Sequence, residues 1–158
     1  MIKLPTSLEQ LVKNTREKNQ KLVLVTGVFD ILHKEHQNFL KTAKRIGDVL
    51  IVGLETDGRV KEIKGVNRPI NSQLVRKTNL ENWGIADAVF ILPADFHLTH
   101  RREELIKLLR PKILAVSSHT AHLEDKANIM GRVGGRVQVI YQHNPAVSTT
   151  QLINQQNE

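Results

Sequence analysis

The chain has 158 residues, 40% of them apolar, and this size predicts one globular domain over residues 1–158. No stretch approaches the roughly 18 apolar residues of a membrane span, and the N-terminus lacks a basic region leading into a long apolar segment, so we expect a soluble, cytoplasmic protein with no membrane partner. The absence of cysteine excludes disulfides and thiolate metal sites and suits a reducing compartment.

The charge balance indicates phosphate-rich partners. Lysine and arginine number 23 against 16 aspartates and glutamates, for a net charge of +7. Such a surface attracts nucleotides or nucleic acids. The aromatic residues are four Phe, one Tyr and one Trp, too scattered to form a stacking platform for single strands. Charge alone does not decide between these partners, but the few aromatic residues make nucleic-acid binding the less favoured hypothesis, and we expect no nucleic-acid partner.

The first third of the chain predicts a helix, a strand, a second helix and a second strand. Ser7 and Gln10 form a capping-box pair before apolar residues at helical spacing. The run KLVLVTG, residues 21–27, is almost continuously apolar and ends in glycine, as buried parallel strands do. The next helix carries one apolar face and ends near Gly47, and residues 48–57 repeat the strand pattern.

The remaining elements alternate in type. Residues 56–69 are polar, basic and interrupted by glycine and proline, so we predict a loop with room for one helical turn. Helices are predicted over 71–84, 99–110, 121–135 and 148–156, and strands over 86–93, 111–118 and 136–141. Alternating strands and helices predict the α/β class, with a doubly wound, five-stranded parallel sheet and an added N-terminal helix.

The turn after the first strand, from Thr26 to His36, is the predicted binding edge. In open parallel sheets, ligands bind beyond the carboxyl ends of the strands, where strand order reverses. A turn into a helix presents free backbone N–H groups to an anion, and Gly27 permits close approach of a phosphate. The stretch matches neither a Walker loop nor a dinucleotide-binding fingerprint.

His33 and His36 admit three interpretations. Their spacing places both imidazoles on one face of the helix start, where they could donate hydrogen bonds to phosphate oxygens. They could also be exposed residues at a solvated helix end. Zinc ligation is disfavoured because HKEH matches neither H-E-x-x-H nor H-x-x-E-H and no third ligand has suitable spacing, so we expect no protein metal site.

Five segments in order resemble the cytidylyltransferase-like nucleotidyltransferase family: TGVFDILHKEHQNFL, AKRIGDVLIVGLETD, VKEIKGVNRPI, VRKTNLENWGIADAV and VSTTQLI. The match runs from about Lys21 to Ile153 and is strongest to the adenylyltransferase domain of ADP-heptose synthase and to glycerol-3-phosphate cytidylyltransferase. The resemblance implies a Rossmann-like fold, usually dimeric. It also implies transfer of AMP or CMP from ATP or CTP to a phosphorylated small molecule, such as a sugar or polyol phosphate, with release of pyrophosphate.

The resemblance further implies roles for individual residues. The family's H-x-G-H motif falls on His33 and His36, which would stabilise the triphosphate during in-line attack, and Lys64 would assist catalysis. The implied nucleotide-binding residues are Thr26, Gly27, Phe29, Asp30, Arg76, Ser148, Thr149 and Thr150. Magnesium would bridge the triphosphate oxygens. Taken singly, each residue also has an ordinary structural explanation, such as Asp30 capping its own turn or Ser148 capping a helix.

Two departures from the family pattern leave a second hypothesis open. Glu35 stands where the family has glycine, which brings bulk and negative charge toward a triphosphate. After the fourth strand, AVSSHTAHLED lacks the family's glycine and aspartate residues and holds a second H-x-x-H, His119 and His122. The segment is either exposed surface or a rebuilt pocket. The chain is accordingly an active nucleotidyltransferase or an impaired homologue that serves as a nucleotide-binding module.

Overall fold

The computed structural model describes residues 1–141 and holds five strands and six helices there. The helices are α1 Thr6–Glu17, α2 Lys34–Arg45, α3 Asp57–Lys64, α4 Gln73–Trp83, α5 Thr99–Leu109 and α6 Leu123–Arg132. The strands are β1 Leu22–Gly27, β2 Val49–Leu54, β3 Ala88–Ile91, β4 Ile113–Ser117 and β5 Arg136–Tyr141. None of these helices combines the length and apolar character needed to cross a membrane.

The strands form one parallel sheet in the order β3-β2-β1-β4-β5. From β1 the chain first builds outward through β2 to β3, and then returns to place β4 on the other side of β1. Strand order therefore reverses at β1, which opens a crevice at the carboxyl ends of β1 and β4. The predicted Rossmann-like, doubly wound architecture is confirmed.

Two apolar layers hold helices against the two faces of the sheet. One layer contains buried side chains of α1, α5 and α6, represented by Leu8, Leu105 and Ile129. The other contains those of α2 and α4, represented by Leu40 and Leu80. Full burial of one such side chain stabilises the fold by about 1.5–3 kcal/mol. The two layers together therefore hold the helices in place on either side of the sheet.

Two local predictions were wrong. Ser7 is not an N-cap, because α1 already begins at Thr6 after Pro5 and no side chain caps it. Part of the predicted loop over 56–69 is the two-turn helix α3. Thr56 caps α3 by accepting a hydrogen bond from the Arg59 N–H at 3.2 Å, and Val60 packs with 0% exposure. The predicted helix over 148–156 lies outside the described residues.

Candidate functional site

The turn that follows β1 is shaped by an aromatic ring under a glycine. Phe29 has a positive φ of 49° and is 8% exposed. A Cβ atom on Gly27 would lie 2.9 Å from the Phe29 Cε2 atom, closer than packed carbons tolerate. A side chain at Gly27 would therefore displace the ring. Packing against Phe29 therefore requires glycine at position 27, independently of the expected approach of a phosphate.

The structure brings His33 and His36 together at the N-terminus of α2. Their rings stack with centroids 3.8 Å apart and an interplanar angle of 21°, and His36 also lies 5.2 Å from the Phe29 ring. His33 is the N-cap, and its Nδ1 accepts a hydrogen bond from the Glu35 N–H at 3.2 Å. A neutral His33 therefore carries its proton on Nε2, which is a donor. Both side chains are half-buried rather than fully solvated.

Asp30 ties this turn to the segment before α4. The carboxylate is 1% exposed and accepts hydrogen bonds from Arg68 Nε at 3.2 Å and from the backbone N–H groups of Ile70 and Asn71 at 2.7 and 2.8 Å. The Asn71 amide returns a bond to the Asp30 carbonyl at 3.0 Å. With both oxygens bonded to protein, Asp30 holds the turn after β1 to the segment before α4.

Arg76 is fully buried, which the sequence did not indicate. Its guanidinium donates hydrogen bonds to the carbonyls of Asn71, Val28 and Glu55 at 2.9–3.0 Å and to the Asp57 carboxylate at 2.9 Å. With 0% exposure and four protein acceptors, it does not face a ligand in this arrangement. Arg76 joins the ends of β1 and β2 instead of presenting its charge at the surface.

Lys64, the last residue of α3, lies in the electrostatic neighbourhood of the same turn. Burial of its ammonium group lowers the pKa of Lys64, the Arg68 guanidinium lowers it further, and the Asp30 carboxylate raises it. The Lys64 residue as a whole is exposed. Arg68, at 8% exposure, lies in the segment VKEIKGVNRPI, but the sequence did not single it out because its partner Asp30 is distant in sequence.

Glu35 is positioned at the first turn of α2, next to the histidine pair. One of its carboxylate oxygens, Oε2, is buried and accepts no hydrogen bond from residues 1–141. No ion pair within that range joins it to Lys34 or Lys41, the partners considered from the sequence. Its charge instead lies near the positive end of the helix dipole, where an anionic ligand would also be stabilised.

The second histidine pair and the hydroxyl cluster complete the comparison with the sequence predictions. His119 and His122 are exposed, and His122 directly precedes α6. The residues from Met1 to Tyr141 contain no group of three His, Cys, Asp or Glu side chains that could hold a metal ion.

Ser148, Thr149 and Thr150 lie outside the described residues, and their predicted phosphate contacts stay predictions. Thr26 is half-buried and lies near the carboxyl end of β1, directly before Gly27.

Glu55, directly after β2, is a further ionisable residue at this edge. Its backbone N–H donates a hydrogen bond to the Gly27 carbonyl at 3.0 Å, so it adjoins the turn that leads to the histidines. Burial raises the pKa of the Glu55 carboxyl above its ordinary value, and the surrounding cations oppose that rise; they are Arg59, His97, Arg102 and Lys126. Glu55 lies within the segment AKRIGDVLIVGLETD, but no role was predicted for it from the sequence.

Comparisons with known proteins give matches over most of the chain. A family model described as cytidylyltransferase-like matches residues 24–155. The bifunctional protein HldE of Campylobacter jejuni serotype O:2 is 40% identical over 134 residues, which are 85% of this chain and 27% of that protein. HldE of Helicobacter pylori strain Shi470 is 41% identical over 107 residues, or 68% of this chain and 22% of that protein. The chain spans about a quarter of the length of these relatives.

Solved structures share the fold at low sequence identity. The lipopolysaccharide core biosynthesis protein of Thermoplasma volcanium superposes with a TM-score of 0.64 at 22% identity, over 79% of this chain and 99% of that one. Pantothenate synthetase of Thermus thermophilus superposes with a TM-score of 0.56 at 11% identity, over 89% of this chain and 65% of that one. These likenesses concern the arrangement of strands and helices.

The burial of Arg76 predicts a large loss of stability on its removal. Arg76→Met leaves three carbonyl oxygens and the Asp57 carboxylate without their donor, so we expect the free energy of unfolding to fall by about 3 kcal/mol or more. Lys77→Met, on the next residue of the same helix, removes only a surface ion pair and should cost less than about 1 kcal/mol. Urea denaturation followed by circular dichroism measures both, and equal losses would contradict the tethering role.

The raised pKa of Glu55 predicts a pH-dependent stability. A carboxyl with a higher pKa in the folded state stabilises the fold fully below its unfolded pKa of about 4.3, and this contribution is lost as pH rises through the folded pKa. We therefore expect Glu55→Gln to gain stability relative to the parent protein as pH rises above the unfolded pKa of about 4.3. Denaturation at several pH values measures the difference, and Glu17→Gln corrects for removal of a surface carboxylate. A difference that does not change with pH would refute the effect of burial.

Proposed function

The chain belongs to the cytidylyltransferase-like family, and on that premise we propose that it is a nucleotidyltransferase acting on a sugar or polyol phosphate. An acceptor phosphate oxygen attacks the α-phosphorus of ATP or CTP. The bond from that phosphorus to the oxygen bridging toward the β-phosphorus breaks, and pyrophosphate leaves. The observation that carries the proposal is the stacked His33–His36 pair at the N-terminus of α2, at the carboxyl edge where strand order reverses.

The chemistry requires positioning and charge neutralisation more than a covalent nucleophile. We assign His33 and His36 to donate hydrogen bonds to the triphosphate as charge develops on it, and Lys64 to supply a positive charge nearby. Ser148, Thr149 and Thr150 are proposed to hold further phosphate oxygens. The proposal takes Thr26, Gly27 and Phe29 as the wall of the nucleotide site.

Asp30 and Arg76 have a different place in the proposal from the one expected from the resemblance. Both are almost fully enclosed and bonded to protein, which supports positioning roles.

The proposed magnesium ion would be held mainly by the triphosphate, because Mg²⁺ in such sites keeps few protein ligands and the described part of the chain offers no three-residue cage. Its chemistry would be to neutralise phosphate charge.

A cytoplasmic homodimer is also part of the proposal. The support for self-association is a set of exposed apolar side chains between the end of α3 and the start of α4, with exposures from 45% to 86%: Ile63, Val66, Ile70, Leu74 and Val75. Apolar side chains exposed in such density are typical of protein contact surfaces.

A nucleotide-binding module without turnover is the second candidate function. The specific observation that favours it is Glu35, whose partly buried carboxylate lies in the first turn of α2. At this position a negative charge competes with the triphosphate for the helix N-terminus. The two candidates share the nucleotide site and differ in whether pyrophosphate is released.

Turnover is tested with the two imidazoles removed singly. We expect His33→Ala and His36→Ala each to slow pyrophosphate release by about 10²–10³-fold, because each removes a donor to the developing charge. The assay combines ATP or CTP with sugar and polyol phosphates and detects pyrophosphate by an enzyme-coupled reaction. His100→Ala, an exposed histidine on α5, is the matched control. The enzymatic proposal fails if no triphosphate and acceptor pair gives release above the level of both variants.

The role of Glu35 is tested by restoring the family's glycine. Glu35→Gly removes a like charge from the triphosphate site, so we expect the affinity for ATP or CTP to rise about tenfold, equivalent to about 1.4 kcal/mol. Titration calorimetry measures the affinity. Glu9→Gly makes the same change in the first turn of α1 and controls for lost helix stability. Unchanged affinity in Glu35→Gly would show that this glutamate does not obstruct the nucleotide.

A further inference from the structure

A cleft opens at the amino edge of the sheet, where the strands begin, opposite the edge that carries the histidines. Its volume is about 390 Å³, within the range of small-molecule sites. β1 has six residues, so at about 3.3 Å per residue the two edges lie about 17–20 Å apart. The residues that line this amino-edge cleft are Asn19, Gln20, Lys21, Lys112, Gly134, Gly135 and Arg136. A molecule bound here is therefore separate from the proposed triphosphate site.

Three neighbouring strands bring positive residues to the amino-edge cleft. Lys21 directly precedes β1, Lys112 directly precedes β4, and Arg136 is the first residue of β5. The Lys112 N–H donates a hydrogen bond to the Leu22 carbonyl at 2.9 Å, and the Arg136 N–H donates one to the Lys112 carbonyl at 2.9 Å. Since neighbouring strands lie about 4.8 Å apart, these three backbone positions fall within about 10 Å. Sheet pairing thus fixes three cationic residues beside one cleft.

A close approach of two backbone segments forms one wall of the cleft. A Cβ atom on Gly135 would lie 2.5 Å from the Pro111 carbonyl oxygen and 2.7 Å from the Met130 Cε atom. Gly134, with a positive φ of 75°, makes the preceding turn. Because position 135 has no side chain, the chain leaving α6 passes directly against the residues before β4. This packing places Arg136 next to Lys112.

The positive charges of the cleft have no acidic partners in the described part of the chain. None of the lining residues is acidic, and Lys21, Lys112 and Arg136 form no ion pair among residues 1–141. Asp48 accepts a hydrogen bond from the Lys21 backbone N–H at 2.7 Å, and Arg136 donates to the neutral Gln138 amide at 3.2 Å. Like charges that share a cleft repel one another and together attract an anion.

The helix dipoles explain the flanking cations but not those of the cleft. Lys18 and Arg110 are the C-caps of α1 and α5, where positive charge complements the negative end of a helix. Lys21, Lys112 and Arg136 lie at the starts of strands, beyond the last helical turns in which that effect acts. Their charges therefore call for a different counterpart.

We infer that the amino-edge cleft binds a diphosphate group. Lys21, Lys112 and Arg136 neutralise its charge, and the side-chain amides of Asn19 and Gln20 add neutral hydrogen-bond donors. A diphosphate has two phosphate groups, so it contacts more of these cations at once than a single phosphate does. The group is either free pyrophosphate or part of a nucleoside diphosphate. This inference does not rest on the proposed function, since the cleft lies at the opposite edge of the sheet.

Nuclear magnetic resonance tests the inference by locating the bound anion on the ¹⁵N-labelled full chain. Pyrophosphate, ADP, inorganic phosphate and polyglutamate are titrated separately. We expect the backbone amide signals of Lys112, Gly134 and Gly135 to respond to pyrophosphate and to saturate, with an affinity about tenfold higher than for inorganic phosphate. The amide signals of His33 and Glu35 report binding at the carboxyl edge, so the two sites are measured independently.

Charge removal at the cleft should weaken only the amino-edge response. We expect Lys112→Gln and Arg136→Gln each to lower the affinity of the cleft for pyrophosphate by about tenfold, because each removes a charged donor. Lys41→Gln, which removes an exposed lysine on α2, is the matched control and should leave this affinity unchanged. Well-dispersed spectra establish that each variant is folded. Any pyrophosphate response at the histidines should be the same in all three variants.

Three results would overturn the inference. The first is that pyrophosphate and ADP give no saturable response at the cleft, and the second is that Lys112→Gln and Arg136→Gln respond as the parent does. The third is that polyglutamate binds the cleft and pyrophosphate does not, which would assign this edge to an acidic protein surface. Within a supporting result, tighter binding of ADP than of pyrophosphate identifies a nucleoside diphosphate, and the reverse order identifies the free anion.

Failure of this inference is distinguishable from failure of the proposed function. A missing response at the cleft refutes only the diphosphate site. Missing pyrophosphate release in the turnover assay refutes only the transferase activity, because the cleft is measured by binding at its own residues.

Discussion

The buried guanidinium of Arg76 is the interaction on which the carboxyl edge depends. Removing a charge from water costs several kcal/mol, and the fold tolerates this cost because four protein oxygens surround the group. Two of those oxygens, on Val28 and Glu55, belong to the turns after β1 and β2. One side chain therefore links the turn that leads to the histidines to the residue that directly follows β2.

A second buried ion pair, between Asp30 and Arg68, also holds the turn after β1. Asp30 holds the backbone of Ile70 and Asn71, and Arg68 completes the contact. Because Asn71 is also bonded to Arg76, the two networks share the segment before α4. The positions of His33 and His36 thus depend on buried groups that are bonded to protein, and substitutions in these networks would alter the geometry of the site.

Acidic side chains distinguish this site within a chain of net charge +7. Glu35 lies beside the proposed triphosphate position, where its charge opposes binding. Repulsion between like charges at short range therefore weakens triphosphate binding at this position. Which effect dominates at Glu35 separates the transferase from the binding module.

The amino-acid sequence by itself determined the sheet class, the order of most helices and strands, and the adjacency of His33 and His36, because these follow from periodicity along the chain. It did not reveal α3, whose helix depends on the Thr56 cap and on one buried valine in a basic stretch. Nor did it show that Arg76 is enclosed, that Arg68 pairs with Asp30, or that one oxygen of the Glu55 carboxylate is buried. Only the tertiary structure decided these, because burial and the partners of a charge are set by segments distant in sequence, which local pattern does not encode.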